Sequence, residues 1–570
     1  IEFRLKDDGT IADFHAMDQA SDLPKTGQSV DLNLFRMLNA LTDGVLAAVT
    51  ILVSLLLVCI AMLCVRFTLL ATLEEDYREI GVLKAIGASR RHIRGIYLAK
   101  HAALAAAASL CGCAASFPAA RLMSSDIALY LGKTDRGLAY FALPFAASAV
   151  LCGLMILFCM LVLRRFGRIP AAEALRSGGI GEAKISRSRW RLHRSRLMPV
   201  PVFLGLLNVF QRPRMFGLLF FVFAASAFLM LVPVHFLNTM ESPGFIAYLG
   251  IGRSDLRIDL QHSERMEERF REAVDAIRRD ADVERFSPLV ASRFRVLNDD
   301  GTVGQLNVES GDFTIFPLEY VQGGAPRDDN EIALSVLNAR EMGKRVGDTI
   351  RLLAGGEERT MVISGIYQDI ANGGRTAKAR LPHDPDAALW YTISLDLKPG
   401  VDPPAKIAEY ERAFGPAKAT DLPGYIRQTL GQTIAQLRSL AMLAFAVAIF
   451  LSMLMTALFL NLLTARDRSH TAIMRAIGFQ HRHIRTQYVA MALAVLAAGI
   501  AAGTILANTA GQSLAGAVWS LLGASDIRFV IEPVQAYVVC PAILMLAVSA
   551  AAWIGAESAR KVNIAEMIKE

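Results

Sequence analysis

The chain has 570 residues, 53% of them hydrophobic, and a formal net charge of +7. Its mean hydropathy of +0.37 is higher than a soluble domain sustains over such a length, so the composition excludes an ordinary soluble globule. The Lys and Arg residues gather beside apolar spans and form no basic stripe interleaved with aromatics, which excludes nucleic acid as a partner.

Residues 1–30 read as the C-terminal remnant of an outer domain. Seven stretches free of Asp, Glu, Lys and Arg then reach the apolar length a membrane helix needs. They are 44–65, 102–120, 137–163, 215–240, 439–464, 486–525 and 533–556. The sixth is too long for one span, and Asn508 to Gln512 interrupt it, so it holds one helix followed by an outer turn or half-helix. Cations crowd the loop 66–94, the segment 164–214, the loop 466–485 and the C-terminal end, which the positive-inside rule places in the cytoplasm. The loop 121–136 and the polar segment from 241 to about 438 then face outward. This topology puts Ile1 outside and Glu570 inside, and leads us to expect a first helix and most of a first outer domain ahead of Ile1.

The chain divides into a first membrane module with a stalk helix (31–176), a basic cytoplasmic linker (177–214), a membrane helix (215–240), an outer domain (241–423) and a second membrane module with its own stalk (424–570). The outer domain reads as mixed α/β. Period-2 patterning marks strands at 256–260, 349–353 and 361–366, a charged helix covers 264–279, and turns fall at Asp300-Gly301, Gly323-Gly324 and Gly355-Gly356. The stripes Phe35, Leu38, Leu41, Val45 and Ile426, Leu430, Ile434, Leu437 carry helical periodicity ahead of two spans. They fit either stalks raised above the bilayer or amphipathic helices lying on it.

All seven cysteines lie in apolar spans, so neither a disulfide framework nor a Cys-based zinc site is available to the outer domain. Cys111 and Cys113 point about 200° apart on a helix and read as small packing residues. No acidic or basic side chain sits mid-span, and His235 reads as a structural histidine near the outer end of its span, which speaks against an ion-coupled carrier. No G-x-x-x-x-G-K-[ST] phosphate loop, H-E-x-x-H or G-x-S-x-G motif occurs.

The most informative feature is a repeat. Residues 78–97 read REIGVLKAIGASRRHIRGIY and residues 469–488 read SHTAIMRAIGFQHRHIRTQY. At one constant offset, Ala85-Ile86-Gly87 matches Ala476-Ile477-Gly478, Arg91-His92-Ile93-Arg94 matches Arg482-His483-Ile484-Arg485, and Tyr97 matches Tyr488. The tails RIPAAEALR (168–176) and KVNIAEMIK (561–569) correspond as well, so the chain is a duplicated membrane module. Ile80, Val82, Leu83 and Ile86 give the first loop a short helix with an apolar face, which Gly87, like Gly478 in the second copy, ends. Such a helix suits docking in a groove of a partner.

REIGVLKAIGAS, with the outer segment NEIALSVLNAREMGKRVGDTIRLL (330–353), resembles permeases of the FtsX/MacB-like ABC transporter family (type VII fold) in their two-module, eight-helix form. The resemblance implies a polytopic α-helical membrane protein, with two repeated three-helix FtsX-like modules, a linking helix and a mixed α/β extracytoplasmic domain. It implies ATPase-coupling loops at Arg78, Glu79, Ile80, Gly81, Leu83, Lys84, Ala85, Ile86 and Gly87, and at Ile473, Met474, Arg475, Ala476, Ile477 and Gly478. The second copy departs where Arg-Glu-Ile-Gly becomes Ser-His-Thr-Ala (469–472).

The expected partners are two copies of an ABC ATPase subunit, membrane lipid and an extracytoplasmic partner. ATP and Mg would bind that ATPase subunit, with no cofactor, metal or catalytic residue on this chain. The implied function is export or extraction of an amphiphilic, lipid-like or peptide substrate by mechanotransmission in the bacterial cytoplasmic (inner) membrane. The alternative is an ATP-driven signalling lever that controls an extracytoplasmic hydrolase or a sensor kinase without substrate flux.

Overall fold

The computed structural model describes residues 32–124, 138–166, 198–260, 266–297, 303–354, 357–370, 374–382, 388–415, 417–521, 524 and 527–556. The expectations for 1–30, for most of the 121–136 loop, for the turns at 300–301 and 355–356 and for the tails at 168–176 and 561–569 lie outside them. In chain order the elements are α1 (Leu32–Glu75), α2 (Tyr77–Ala85), α3 (Arg90–Ser124), α4 (Leu138–Phe166), α5 (Val200–Gln211), α6 (Pro213–Glu241), β1 (Leu256–Leu260), α7 (Met266–Arg279), β2 (Val283–Leu297), β3 (Val303–Ser310), β4 (Tyr320–Gly323), β5 (Glu331–Ser335), α8 (Val336–Glu341), β6 (Thr349–Ala354), β7 (Glu357–Tyr367), β8 (Thr376–Ala379), β9 (Ala388–Leu397), α9 (Pro403–Phe414), β10 (Lys418–Asp421), α10 (Leu422–Arg466), α11 (Arg468–Ala476), α12 (His481–Leu506), α13 (Gln512–Leu521) and α14 (Cys540–Gly555).

Seven of the described helices are long and apolar enough to cross a membrane, one for each apolar stretch of the sequence. The chain is therefore a polytopic helical membrane protein. It forms two compact units, one containing 240–434 and the other containing 46–239 and 435–514.

In the membrane unit, α1 and α10 meet where Cys64 Sγ lies 3.0 Å from Met455 Sδ. The offset between these two residues equals the one between Gly87 and Gly478, so equivalent positions of the two copies touch. That is the signature of an isologous contact about a local two-fold axis. Phe459 packs beside it, 5.6 Å from the Phe67 ring and 5.0 Å from Phe216 of α6. Helix α6 is the most enclosed span, with Leu219, Val222, Phe223, Ala227 and Leu229 all buried. By contrast, α4 exposes Leu143, Phe145 and Val150, as a lipid-facing helix does.

Two features of this unit depart from the sequence analysis. Helix α5 lies within 177–214, which the sequence assigns to a basic linker. Its VPVFLGLLNVF run is too short to span, so a search for full-length spans passes over it, yet Phe203 and Gly205 are buried. The interruption at 508–512 is a π-helical turn, Ala507–Gly511, after which the helix resumes as α13. The chain widens its winding there without leaving the helix.

The outer unit is built on a ten-stranded mixed sheet in the order β10-β1-β9-β2-β3-β8-β5-β7-β4, with β6 pairing β2 and β7. Most neighbours are antiparallel; β3–β8 and β5–β7 run parallel. Alternation along the strands sends Leu256, Ile258, Ile393 and Leu395 to a core closed by Phe270, Ala273 and Ile277 of α7 and Tyr410 of α9. Lys406 on α9 reaches Asp280 at 2.7 Å and Asp282 at 2.9 Å just beyond α7. In α10, Ile426, Leu430, Ile434 and Leu437 are all buried, so this stripe packs against protein. The matching stripe of α1 falls on residues whose side chains are not described.

Several carboxylates of the outer unit titrate low. Burial pushes the Glu309 carboxyl up, but Lys378 and Arg257 overcome it and hold the group below the usual range. Burial likewise opposes the lowering of Asp280, where Lys406, the Asp282 backbone and Tyr410 win. A carboxylate with a depressed folded-state pKa stabilises the fold above its unfolded pKa, and that stability is lost as pH falls through the folded value. We expect the outer domain to hold its amide protection at neutral pH and to lose it below about pH 4, the ordinary carboxylate range. Hydrogen exchange across β1, β3 and β9 checks this.

Candidate functional site

The two cytoplasmic loops fold alike. In each copy a long helix breaks at an aspartate (Asp76, Asp467), a nine-residue helix follows (α2, α11), and a glycine ends it before the next span. At the repeat offset α2 maps onto α11 at both ends, the end of α1 onto that of α10, and the start of α3 onto that of α12. The glycine ends are left-handed, with φ +95° at Gly87 and +104° at Gly478. Around them Gly87 N–H donates to Lys84 O (3.2 Å) and Ala88 N–H to Leu83 O (2.9 Å). In the second copy Gly478 N–H donates to Arg475 O and Phe479 N–H to Met474 O, both at 3.0 Å. This pair of bonds is the Schellman motif, which only a residue at ease with positive φ completes cheaply.

No neighbour lies within 4 Å of a Cβ at either glycine, so backbone conformation and not space selects glycine here. Gly87→Val and Gly478→Val should each cost about 1–2 kcal/mol locally. The expected result is faster amide exchange confined to α2 or α11, with the spans unchanged.

Within the first loop, Ile80 and Gly81 are buried and Leu83 is half-buried against Leu69, Leu73, Ile93 and Leu163. Val82, Ala85 and Ile86 are exposed, Ile86 at 75%. In the second loop Thr471 is buried, Met474 half-buried, and Ile473, Ala476 and Ile477 exposed, Ile477 at 73%. The structure corrects the single apolar face read from the sequence. Ile80 and Leu83 anchor the helix, while Val82 with Ile86, and Ile473 with Ile477, project outward. Residues four apart share a helix side, so each loop presents a two-residue apolar knob.

Polar residues frame these knobs. Glu79 is exposed, and Lys84 and Arg475 are half-buried; Arg78 occupies the second position of α2. Partial burial, together with Arg90 and Arg94, holds the Lys84 ammonium below its usual value. An acidic partner group would relieve that field.

The rest of the repeated motif anchors the loops. Tyr97 Oη donates to Asp76 Oδ2 at 2.8 Å, tying α3 to the break before α2. Tyr488 Oη instead lies 3.4 Å from Thr471 Oγ1, and Asp467 is claimed by Arg212 Nη1 at 2.8 and 3.0 Å. Arg94 Nη2 donates to Arg164 O at 3.3 Å. Arg485 donates from Nε and Nη2 to Trp553 O (3.1 and 2.7 Å) and stacks 3.8 Å from the Trp553 ring centroid. The last arginine of each R-H-I-R thus staples the second helix of its module to the third.

Asp76, Asp467 and Arg212 escaped the sequence analysis. The aspartates lie at the repeat offset just ahead of the aligned blocks, so extending the comparison would have found them. Nothing in the sequence pairs Arg212 with Asp467.

A duplicated three-helix module, matched loops and an appended α/β domain define a membrane permease architecture. Residues 51–169 and 442–564 each match the family model for the FtsX-like permease C-terminal region. Both membrane modules of this multi-pass chain are therefore similar to the C-terminal region of FtsX-like permeases. Comparison with curated protein sequences found no match. Among solved structures, the periplasmic region of MacB from Actinobacillus actinomycetemcomitans is similar at 11% identity and a TM-score of 0.25, over 32% of this chain and 94% of that one. A domain of a putative permease protein from Porphyromonas gingivalis is similar at 16% identity and a TM-score of 0.19, over 26% of this chain and 75% of that one.

Proposed function

We propose that this chain couples ATP hydrolysis on two copies of a separate ABC ATPase subunit to export or extraction of an amphiphilic, lipid-like or peptide substrate. ATP and Mg bind the partner, and the chain sits in the bacterial cytoplasmic membrane. The observation that carries the reading is the pair of matched knobs, Val82/Ile86 and Ile473/Ile477, each exposed on a helix that a Schellman cap ends and that is tied at its starting aspartate, Asp76 by Tyr97 and Asp467 by Arg212. A large apolar side chain held in water at the end of a stiff element is a docking device. Two knobs about a local two-fold axis fit a partner that is itself a dimer.

Helix α10 supports mechanical coupling. Its 45 residues run unbroken from Leu422 to Arg466, about 65 Å of rigid rod at 1.5 Å per residue. A rod of that kind serves transport and signalling alike, so the deciding measurement is flux. Co-expression with a small ABC ATPase should give a detergent-stable complex whose ATPase rate depends on this chain. Inverted vesicles carrying the complex should accumulate an amphiphile only with ATP. A complex that hydrolyses ATP and activates an outer hydrolase without flux would replace transport with the signalling lever. No complex with any ATPase would overturn both.

A further inference from the structure

The two loops share a shape but are tied to different parts of the chain. In the first, Asp76 accepts from Tyr97 Oη of α3, a helix of the same three-helix module. In the second, the equivalent Asp467 is buried and accepts instead from Arg212 Nη1, at 2.8 Å to Oδ1 and 3.0 Å to Oδ2. Arg212 belongs to neither module. It is the residue between α5 and α6, where its N–H still donates to Asn208 O at 3.1 Å and Pro213, which has no N–H to give, starts the new helix. Asp467 is likewise the residue between α10 and α11. The ion pair therefore joins two elbows.

Neighbouring contacts extend the junction. Arg466 Nη1 lies 3.8 Å from Met215 Sδ, and the Phe459 and Phe216 rings are 5.0 Å apart. The start of α6 is thus fixed against the end of α10. These are the two helices through which the chain enters and leaves the outer domain: α6 leads into it by way of the turn Pro243–Tyr248, and α10 begins at Leu422 directly after β10. Packed helices slide along apolar contacts at small cost. An ion pair is satisfied at one relative height only, and setting register is the best-attested use of a buried pair, whose net gain in stability over apolar residues is small.

We infer that Arg212 is a positioning residue that yokes α6 to α10, so that a displacement of the second loop reaches the outer domain through both helices at once. The two loops are then unequal: the second drives the outer domain, and the first is tied through Asp76 to its own module. The yoke is a property of this chain, while its use as a drive rests on the docking of the loops to an ATPase, so the two are tested apart.

The first test is hydrogen exchange on the full chain alone in lipid nanodiscs. Met215 and Phe216 N–H donate to Arg212 O, and Thr471 N–H donates to Asp467 O, so these amides report on the two elbows. Asp467→Asn should speed exchange at Met215 and Phe216, across the pair, about tenfold, and Arg212→Gln should do the same at Thr471. The double variant should be no faster than either single one. Arg212→Lys should exchange like the parent, because one nitrogen makes both bonds and an ammonium can replace it. Amides of α6 that ignore Asp467→Asn, or effects that simply add, would overturn the yoke.

The second test uses the complex with a co-expressed ABC ATPase. The non-hydrolysable ATP analogue AMP-PNP should change exchange across β1 and β10, which pair with each other next to the two helices in the chain. Arg212→Gln should remove most of that change while the complex still co-purifies, and Arg212→Lys should keep it. Tyr97→Phe, which cuts the equivalent tie of the first loop, should leave the larger part. A full response in a folded Arg212→Gln protein, or an equal loss in Tyr97→Phe, would overturn the drive. Failure to form any ATPase complex would remove the docking reading instead, and exchange on the chain alone would still decide the yoke.

Discussion

Replacing Ile86 and Ile477 together by Asp is expected to abolish association with the ATPase while leaving the permease folded. Both side chains are about three-quarters exposed, so the isolated chain loses almost no burial. In the docked state each isoleucine would give up its apolar surface to the partner, worth about 1.5–3 kcal/mol. The aspartate that replaces it must also be desolvated without a matched cation. Each single variant should therefore weaken the complex roughly 10- to 100-fold, and the double variant about 1,000-fold or more. Unequal single effects would rank the two loops, a natural question because the second has lost the Arg-Glu-Ile-Gly of the first. Val303→Asp, at an exposed valine of the outer sheet, is the control and should co-purify with the ATPase as before. Co-purification and ATP turnover unchanged in the double variant would remove the docking role.

The largest effect on stability is expected where α12 crosses α6. A Cβ on Gly503 would sit 2.5 Å from Ala224 O and 2.7 Å from Ala227 Cβ, and one on Gly499 2.6 Å from Phe223 Cβ. Gly499 and Gly503 form a small-xxx-small pair, which lets two helix backbones approach in lipid, where no hydrophobic force drives helices together. Gly503→Ala must push back a main-chain carbonyl. It should cost about 3 kcal/mol or more, at the upper end of overpacking penalties, because backbone cannot rotate out of the way. Gly516→Ala, with nothing within 4 Å of its Cβ, should be neutral or slightly stabilising, since alanine is the better helix former. Melting temperature and monodisperse yield in detergent separate the two. A Gly503→Ala protein as stable as the parent would mean that the helices do not meet as described.

Much of the architecture was legible because its signals are local. Apolar length gave the seven spans, since lipid forces a spanning segment to satisfy its own backbone as a helix. The repeat gave the duplication, and Gly87 and Gly478 gave the ends of the short loop helices, because positive φ is a property of one residue and its neighbours. The stripe at Ile426, Leu430, Ile434 and Leu437 was visible as a period, but only packing decided that it faces protein and not a lipid surface.

Other features had no local signal. The period of α2 groups Ile80, Leu83 and Ile86, yet whether such residues anchor or project depends on where α1, α3 and α4 stand around it. The partnership of Arg212 with Asp467 joins residues remote in sequence, and the order of the ten strands rests on pairings that alternation does not specify.

By itself, then, the sequence determined which described helices are long and apolar enough to cross the membrane, that the module is doubled, and where the loop helices stop. These depend on composition and single-residue backbone preference. Only the tertiary structure decided which isoleucines are left in water, that equivalent positions of the two copies touch at Cys64 and Met455, and that Arg257 and Lys378 are buried beside carboxylates on one face of the outer sheet. Each of these is set by which distant segments pack together, and burial belongs to the assembled chain and not to any stretch of it.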